Sequence, residues 1–340
     1  MKNKKRFYFR DGLQTYDALT IDSTGAFLVG ELERLDQTLH DPLVNVTWSR
    51  DIDLREDVSI ADETSSFTNS AFAAVGGTSP TGKAWIGKDA NAIAGMQLDI
   101  QKTPQPLFLW GMQISYTIPE LESAIRLGRP IDVQKYEGLQ LKHQMDIDEM
   151  VYKGDSELGR TGLLNSDTKV GVTGAVAAGA SGKTLWNTKT PDEILADVNA
   201  LISAVWKASG YAVCPGKLGL PPTQFAYISS QKVSTAGNVS ILTFLEDNSI
   251  ALRINGKKLE IVPMKWSANA GTAGDINIGS TAQDRMVAYT QEKNRVRYPL
   301  VPLQRTPLEY RGIFQITTYF GRLGCLEVVY GETIGYADGI

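Results

Sequence analysis

The stretch that decides the fold is Thr117-Ile118-Pro119-Glu120-Leu121, which directly follows the apolar residues 107–116. Residues 107–116 have the composition of a strand. Thr117 and Glu120 are spaced as a capping box, in which each side chain accepts a hydrogen bond from the other residue's backbone N–H. Pro119 falls in the first helical turn, where its missing N–H does no harm. A strand therefore leads directly into a helix at this point.

The helix that begins here is interrupted by Gly128-Arg129-Pro130, and residues 131–152 then continue without proline. At 1.5 Å per residue this second segment predicts a helix about 33 Å long. Its apolar residues cover a broad stripe, which consists of Val133, Tyr136, Leu141, Met145, Ile147 and Val151.

A further helix is indicated downstream by Thr190-Pro191-Asp192-Glu193, a second capping box. The apolar residues of 194–205 recur with a helical period, and Gly210 ends the segment. Between the two long helices, residues 171–182 are rich in Gly and Ala and predict a flexible loop.

The C-terminal part of the chain has the composition of strands. Residues 226–229 predict a strand, and Asn255-Gly256 predicts a hairpin between residues 251–254 and 259–262. Residues 286–340 are rich in β-branched and aromatic residues, interrupted by prolines. The predicted fold class is therefore α+β, with two substantial helices against antiparallel sheet.

Upstream of the deciding stretch, alternation of polar and apolar residues over 44–54 predicts a long two-faced strand. Alternation returns at Met96, Leu98 and Ile100. The intervening residues 61–95 have no helical period, and a connection this long is unusual unless it has a function. They include exposed-looking apolar side chains, namely Phe67, Phe72, Trp85 and Ile86. We interpret 61–95 as a β-rich arm that reaches beyond its own domain, and 1–42 as a polar arm with a short helix at 27–35.

Composition limits the function. The 340 residues can bury a full core, and the formal net charge of −4 argues against wrapping of nucleic acid. The basic start of the chain, from Lys2 to Arg10, is not followed by the apolar region of a signal peptide. No stretch approaches the about 20 apolar residues that span a bilayer, so we expect no membrane contact. Cys214 and Cys325 predict buried free thiols.

No group of residues in the sequence forms a credible reaction centre. Gly179-Ala180-Ser181-Gly182-Lys183-Thr184 ends like a phosphate-binding loop, but Ala177 replaces its first glycine and the helix begins too late. We therefore interpret it as a surface loop. His40 has no nucleophile motif around it. We predict no enzymatic activity, no catalytic residues and no cofactor.

Two clusters of charged residues contain side chains of the types that bind metal ions. His143, Asp146 and Glu149 recur at steps of three along the long helix, which predicts a solvated charged face rather than a metal site. The acidic run Asp51, Asp53, Glu56 and Asp57 predicts a hydrated strand face or a contact for basic residues of another subunit, and a cation site there is the weaker alternative. We predict no bound metal.

Short motifs occur in a fixed order from the deciding stretch onward, namely Tyr116-Thr117-Ile118-Pro119-Glu120-Leu121, Gly128-Arg129-Pro130-Ile131, Gly154-Asp155, Gly159-Arg160-Thr161-Gly162-Leu163-Leu164-Asn165, Trp186 with Thr190-Pro191-Asp192-Glu193-Ile194-Leu195, Pro221-Pro222, Ala288-Tyr289, Tyr298-Pro299 and Tyr336-Ala337-Asp338-Gly339-Ile340. In these motifs the chain resembles the major capsid proteins of tailed bacteriophages with the Hong Kong 97-type fold, over roughly residues 105–340. That family frequently has the pattern Arg-x-Gly-Gly near its C-terminus. This chain has Arg322-Leu323-Gly324-Cys325 there, so Cys325 replaces the second glycine.

The resemblance implies a division of the chain into five segments. These are an N-terminal arm (1–42), an extended loop with its flanking strands (43–105), a peripheral domain with a spine helix (106–221), an axial domain (222–285) and a C-terminal β segment that returns to the sheet (286–340). The extended loop would lie across a neighbouring subunit. The candidates for intersubunit contact are Phe72, Trp85, Ile86, Lys83 and Lys88, of which the two lysines are also candidates for covalent cross-linking.

The resemblance further implies a function in assembly. The protein would form hexamers and pentamers of an icosahedral shell that encloses double-stranded phage DNA, contacting the DNA weakly and without specificity. Its other partners would be a portal and, in some shells, scaffold or decoration proteins, and it would be found in the virion after assembly in the host cytoplasm. The alternatives are the shell of an encapsulin-type nanocompartment, a tail-tube protein, and a hydrolase that uses His40 or His143.

Overall fold

The computed structural model describes residues 6–8, 15–17, 44–75, 95–127, 131–234, 238–274 and 282–340. The helices are α1 (Trp48–Asp51), α2 (Ile118–Leu127), α3 (Ile131–Tyr152), α4 (Pro191–Ala208), α5 (Pro222–Ser230), α6 (Ile241–Asn248) and α7 (Ile250–Asn255). The strands are β1 (Arg6–Tyr8), β2 (Thr15–Asp17), β3 (Asp53–Arg55), β4 (Thr64–Val75), β5 (Gly95–Pro106), β6 (Phe108–Thr117), β7 (Gly154–Asp155), β8 (Arg160–Thr161), β9 (Val172–Ala175), β10 (Lys217–Leu220), β11 (Glu260–Pro263), β12 (Arg285–Tyr289), β13 (Val296–Arg305), β14 (Glu309–Arg311), β15 (Phe314–Leu323), β16 (Glu327–Val328) and β17 (Ile334–Asp338). The α+β class is confirmed. The predicted helix at 27–35 lies outside the described residues.

The strand-to-helix junction is confirmed at the deciding stretch. Strand β6 ends at Thr117 and α2 begins at the next residue. The Glu120 N–H donates to Thr117 Oγ1 over 3.2 Å, and the Thr117 N–H donates to Glu120 Oε2 over 3.4 Å. Strand β6 also pairs along its whole length with β15, so this junction is fixed to the C-terminal part of the chain.

Helix α3 covers the predicted range, but its apolar stripe is divided between two environments. Val133, Tyr136 and Met145 are exposed, whereas Ile147 and Val151 are fully buried. Near its C-terminus the helix therefore packs Ile147 and Val151 into the core, while Val133, Tyr136 and Met145 present apolar surface to the outside.

Two sheets organise the body. One has the strand order β11-β10-β12-β17-β9, and the other has the order β14-β15-β13-β16, with β6 paired to β15 and β3 paired to β13. The prediction of antiparallel sheet is wrong in part, because β10 and β11, β17 and β9, and β13 and β3 pair in parallel. Helices α5, α6 and α7 lie between β10 and β11 in the chain, and such a crossover returns the chain in the parallel direction.

The core consists of two clusters of apolar side chains. The first surrounds α4, whose residues Ile194, Val198 and Ile202 are fully buried among side chains of β10 and β12. The second surrounds the end of α3, where Ile147 and Val151 pack with aromatic residues of the second half of the chain. Both long helices are thus held by contacts to the C-terminal strands.

Residues 44–54 do not form the predicted long strand. They contain helix α1, followed by the short strand β3. Asp148 of α3 explains the difference, since its Oδ1 accepts hydrogen bonds from the N–H groups of Thr47 (2.9 Å) and Trp48 (3.1 Å) at the start of α1. This carboxylate lies about a hundred residues away in the chain, so alternation within 44–54 carried no sign of it.

Two further predictions in the C-terminal half are wrong. Residues 226–229 belong to helix α5, which begins at the Pro221-Pro222 pair, where proline is favoured. Asn255-Gly256 ends helix α7 instead of joining two strands. Gly256 has a φ of 68°, the left-handed conformation that closes many helices, and the same Asn-Gly chemistry serves hairpin turns and helix ends alike.

The predicted loop at 171–182 is in part a strand. Residues Val172–Ala175 form β9, which pairs in parallel with β17 near the C-terminus. The two cysteines agree with prediction, because Cys214 and Cys325 are both free and buried. Burial raises the pKa of both thiols. Among the described residues, no helix is long and apolar enough to cross a membrane.

Candidate intersubunit interface

A long two-stranded hairpin carries the candidate interface. Strands β4 and β5 pair antiparallel from Thr64 with Pro106 to Val75 with Gly95, so the part of the predicted arm that the structure describes is β-structure. Met96, Leu98 and Ile100 are exposed by 71%, 52% and 61%. Because side chains alternate along a strand, these three residues share one face of β5.

The apolar face of the hairpin is turned away from the protein's own body. Gln105 of β5 and Ser65 and Phe67 of β4 are buried at the base of the hairpin. By alternation Gln105 lies on the face of β5 opposite to Leu98 and Ile100. The expectation that Phe67 is exposed is therefore wrong, because this residue lies at the base, where the hairpin meets the body.

Of the five predicted contact residues, the structure describes only the backbone of Phe72. Phe72 belongs to β4 and is paired in register with Leu98, but its side chain is not described. Lys83, Trp85, Ile86 and Lys88 lie outside the described residues. All five therefore stay predictions, and the exposed side chains of β5 are the part of the arm that the structure does describe.

A second group of exposed apolar side chains was missed from the sequence. It lies around the turn between β14 and β15 and consists of Leu308, Tyr310, Ile313 and Phe314. Gly312 makes the turn with a φ of 63°, and Ile313 accepts a hydrogen bond from the Ile118 N–H at the start of α2. The available signal was the cluster of large apolar residues around a single glycine.

The prediction that His143 of the long helix lies on a solvated face is wrong. His143 is only 4% exposed, and its ring packs edge-on against Trp110 of β6 at 4.7 Å between centroids. The Trp110 indole N–H donates to Asp146 Oδ2 over 2.9 Å. Burial lowers the pKa of His143, and the nearby Asp146 opposes this shift. The His143–Asp146 pair therefore helps attach α3 to β6.

The acidic run at 51–57 is also not a simple hydrated face. Asp51 is fully buried, and its carboxylate binds Arg50 Nε at 2.8 Å and Lys217 Nζ at 3.3 Å. It also accepts the hydroxyl hydrogen bond of Tyr152. Burial, together with the charge of Asp51, raises the pKa of Tyr152, which keeps this donor protonated. The basic partners of Asp51 come from its own chain.

In the loop that resembles a phosphate site, backbone N–H groups donate hydrogen bonds to acceptors of the same chain. The Ala180 N–H donates to Glu193 Oε1 over 2.7 Å, and the Gly179 N–H donates to Lys183 O. The same Glu193 carboxylate accepts the Thr190 N–H and so completes the capping box of α4. Among the described residues, no three His, Cys, Asp or Glu side chains are grouped so as to hold a metal ion.

Several solved structures share the fold of this chain. The capsid of Myoviridae phage XM1 superposes with a TM-score of 0.71 at 16% identity, over 93% of this chain and 99% of that one. The capsid of a native GTA particle gives a TM-score of 0.57 at 14% identity, over 93% and 98%. Mycobacterium phage Adephagia gives 0.56 at 11% identity, over 93% and 96%.

The projecting hairpin, the long helix and the mixed sheets are thus those of the Hong Kong 97-type fold of phage capsid proteins. The family model described as "Major capsid protein" matches residues 82–340, well over half of the chain. The chain belongs to the major capsid protein family. No sequence among the curated proteins matches it.

Proposed function

We propose that this protein is the structural subunit of a closed icosahedral shell, in which it forms hexamers and pentamers around double-stranded phage DNA. The observation that carries the proposal is the exposed apolar face of β5, formed by Met96, Leu98 and Ile100. Contiguous exposed apolar surface on a soluble protein marks a site of interaction. Membership of the major capsid protein family makes a second copy of the chain the natural partner.

The stability of such a shell would come from many copies of the same intersubunit contact. Burial of one large apolar side chain contributes about 1.5–3 kcal/mol, and part of this gain is offset by the entropy lost on association. Each contact is therefore modest. Head-to-tail contacts that close into rings multiply the modest gain, and such rings are the hexamers and pentamers of the proposal.

Within such a shell we assign roles to the predicted segments. The arm (1–42) and the loop segment (43–105), with contact candidates Phe72, Lys83, Trp85, Ile86 and Lys88, would contact neighbouring subunits. The segment 106–221 would form the periphery with its spine helix α3, 222–285 would surround the capsomer axis, and 286–340 would complete the sheets. Portal, scaffold and decoration proteins would be further partners, in a virion assembled in the host cytoplasm. The role is structural and involves no catalysis.

The test is assembly of the expressed chain, with variants that change one face of β5 at a time. Wild-type protein should form closed particles visible by negative-stain electron microscopy. Leu98→Asp combined with Ile100→Asp should leave folded, unassembled subunits, since two charges would have to be buried at the contact. The control Gln97→Glu adds a charge on the opposite face and should still assemble.

The contents and the shape of the assembled particles distinguish a phage capsid from an encapsulin-type shell and from a tail tube. Particles purified from infected cells should contain nuclease-protected double-stranded DNA, whereas an encapsulin-type shell would hold protein cargo and a tail-tube protein would form open tubes. A wild-type chain that stays monomeric under all assembly conditions, or a double-aspartate variant that assembles normally, would refute the proposal.

A further inference from the structure

In the part of the hairpin whose side chains the structure describes, the contacts of β4 and β5 to the rest of the protein lie at the base. Residues 95–102 are exposed throughout, whereas Ser65, Phe67 and Gln105 are buried. The Asn69 side chain still reaches the body, where its Nδ2 donates to Val329 O over 3.3 Å. The direction in which the outer part of the hairpin points is therefore fixed by a few contacts near residues 65–69.

A buried carboxylate lies at the centre of these contacts. Glu327 of β16 is fully buried and accepts the hydroxyl hydrogen bond of Ser65 on β4. Arg297 of β13 donates from Nε to Glu327 Oε2 over 2.7 Å, and Arg55 of β3 donates from Nη1 to Oε1 over 3.1 Å. One carboxylate thus joins the hairpin to three strands of the body.

Arg55 of β3 also binds the base of the hairpin directly. Its Nη1 donates to Ser65 Oγ over 2.9 Å and to the backbone oxygen of Ser66 over 3.0 Å. Hydrogen bonds to charged groups are stronger than neutral ones, and a buried carboxylate strongly disfavours loss of any partner. The base of β4 is therefore held at a defined position by Glu327 and Arg55 together.

A small change at the base has a large effect at the far end of the hairpin. The 12 residues of β4 extend over about 40 Å at 3.4 Å per residue, so a rotation of about 10° at Ser65 would move the far end by about 7 Å. Such a displacement exceeds the size of a single side-chain contact. The residues at the base therefore control which part of a neighbour the hairpin can reach.

We propose that Glu327, acting through Ser65 and together with Arg55 and Arg297, is a positioning residue that sets the direction of the hairpin and thereby the geometry of assembly. This inference rests on the proposed function, in which the hairpin contacts a second copy of the chain. Glu327 itself is buried and need not touch the neighbour.

The test uses three variants and a matched control. Ser65→Ala removes only the hydroxyl link on the hairpin, Glu327→Gln removes the charge, and the double variant combines them. Thr68→Ala is the control, because it removes a hydroxyl from an exposed residue on the same strand. Amide hydrogen exchange is measured on unassembled subunits, and particles are examined by electron microscopy.

Ser65→Ala should speed amide exchange at residues 64–69 at least about tenfold, because it removes the hydrogen bonds of the hydroxyl to Glu327 and from Arg55, both charged groups. Its particles should be open or irregular where wild type gives closed particles of one diameter. In the Glu327→Gln background the additional Ser65→Ala change should have a smaller effect than in wild type, because residues that share one hydrogen-bond network are not additive. Thr68→Ala should match wild type in both measurements.

Wild-type exchange and wild-type particles in Ser65→Ala would overturn the inference, as would full additivity of the two changes. If Glu327→Gln fails to fold, Ser65→Ala alone decides, because it leaves the ion pairs of Glu327 in place. Absence of particles from wild type itself refutes the proposed function instead, and the exchange measurement still decides whether Glu327 holds the hairpin.

Discussion

At the scale of single residues, the structure shows which contacts are made by the members of the C-terminal motif Tyr336-Ala337-Asp338-Gly339-Ile340. Asp338 is fully buried and binds Arg285 through two hydrogen bonds of 2.7 and 2.9 Å. The guanidinium of Arg285 lies over the ring of Tyr336 at 4.4 Å. Gly339 has a φ of 83°, and a Cβ there would lie 2.7 Å from the Cα of Gly274. The members of this motif are thus held by close packing and by charge pairing.

His143 gives a prediction for pH dependence. Because burial lowers the pKa of its imidazole in the folded protein, the unfolded chain takes up a proton more readily as the pH falls through the ordinary histidine value of about 6.5. Stability is therefore full above that pH and decreases below it. His143→Phe keeps an aromatic ring beside Trp110 without a titrating group, so its free energy of unfolding should fall less between about pH 7.5 and 5.5.

The measurement is urea unfolding of unassembled subunits across this pH range, in the Leu98→Asp, Ile100→Asp background if wild type assembles. The difference between the two proteins should be constant above about pH 7.5. Parallel pH profiles over the whole range would show that His143 does not titrate as its burial predicts.

At the scale of elements, α4 is the segment in which sequence and structure agree most closely. Its capping box is complete, with the Thr190 N–H donating to Glu193 Oε2 over 2.7 Å and the Glu193 N–H donating to Thr190 Oγ1 over 3.4 Å. Its apolar residues are buried as their period indicated. Both signals are local, since they join residues within a few positions of each other.

The cap of α4 can be tested by Thr190→Ala, which should lower the free energy of unfolding by about 1 kcal/mol through loss of the hydroxyl acceptor. Asp192→Asn in the same first turn removes a charge but no capping hydrogen bond, and should cost only a few tenths of a kcal/mol. Chemical denaturation of unassembled subunits measures both. Equal losses from the two variants would contradict the role of the cap.

At the scale of the whole molecule, the hairpin of β4 and β5 and the rest of the protein differ in how far they bury their own apolar side chains. Outside the hairpin the protein has two buried apolar cores, whereas the outer part of β5 exposes three large apolar residues to solvent. The turn between β14 and β15 exposes four more. A molecule built in this way gains stability when these surfaces are covered by other copies.

Assembly should therefore protect the hairpin and stabilise the subunit. In closed particles, the amides of residues 95–102 should exchange more slowly than in unassembled subunits, and the thermal unfolding temperature should be higher. The Leu98→Asp, Ile100→Asp variant should behave as unassembled wild type in both measurements. Unchanged exchange at 95–102 in particles would place the intersubunit contact elsewhere.

The sequence by itself determined the parts of this protein that depend on neighbours in the chain. These are the two capping boxes, the separation of α2 from α3, the extent of α3 and the exposed alternation of β5, because helix caps and side-chain periodicity act over a few residues. Together with the order of its motifs, they were enough to indicate the capsid fold.

Only the tertiary structure decided where distant residues meet. The helix at Trp48 depends on Asp148, and the burial of Asp51 depends on Lys217, partners that lie far away in the sequence. The parallel pairing of β10 with β11 and the contact of Ser65 with Glu327 are of the same kind. Such contacts arise when packing brings separate elements together, and no local pattern records them.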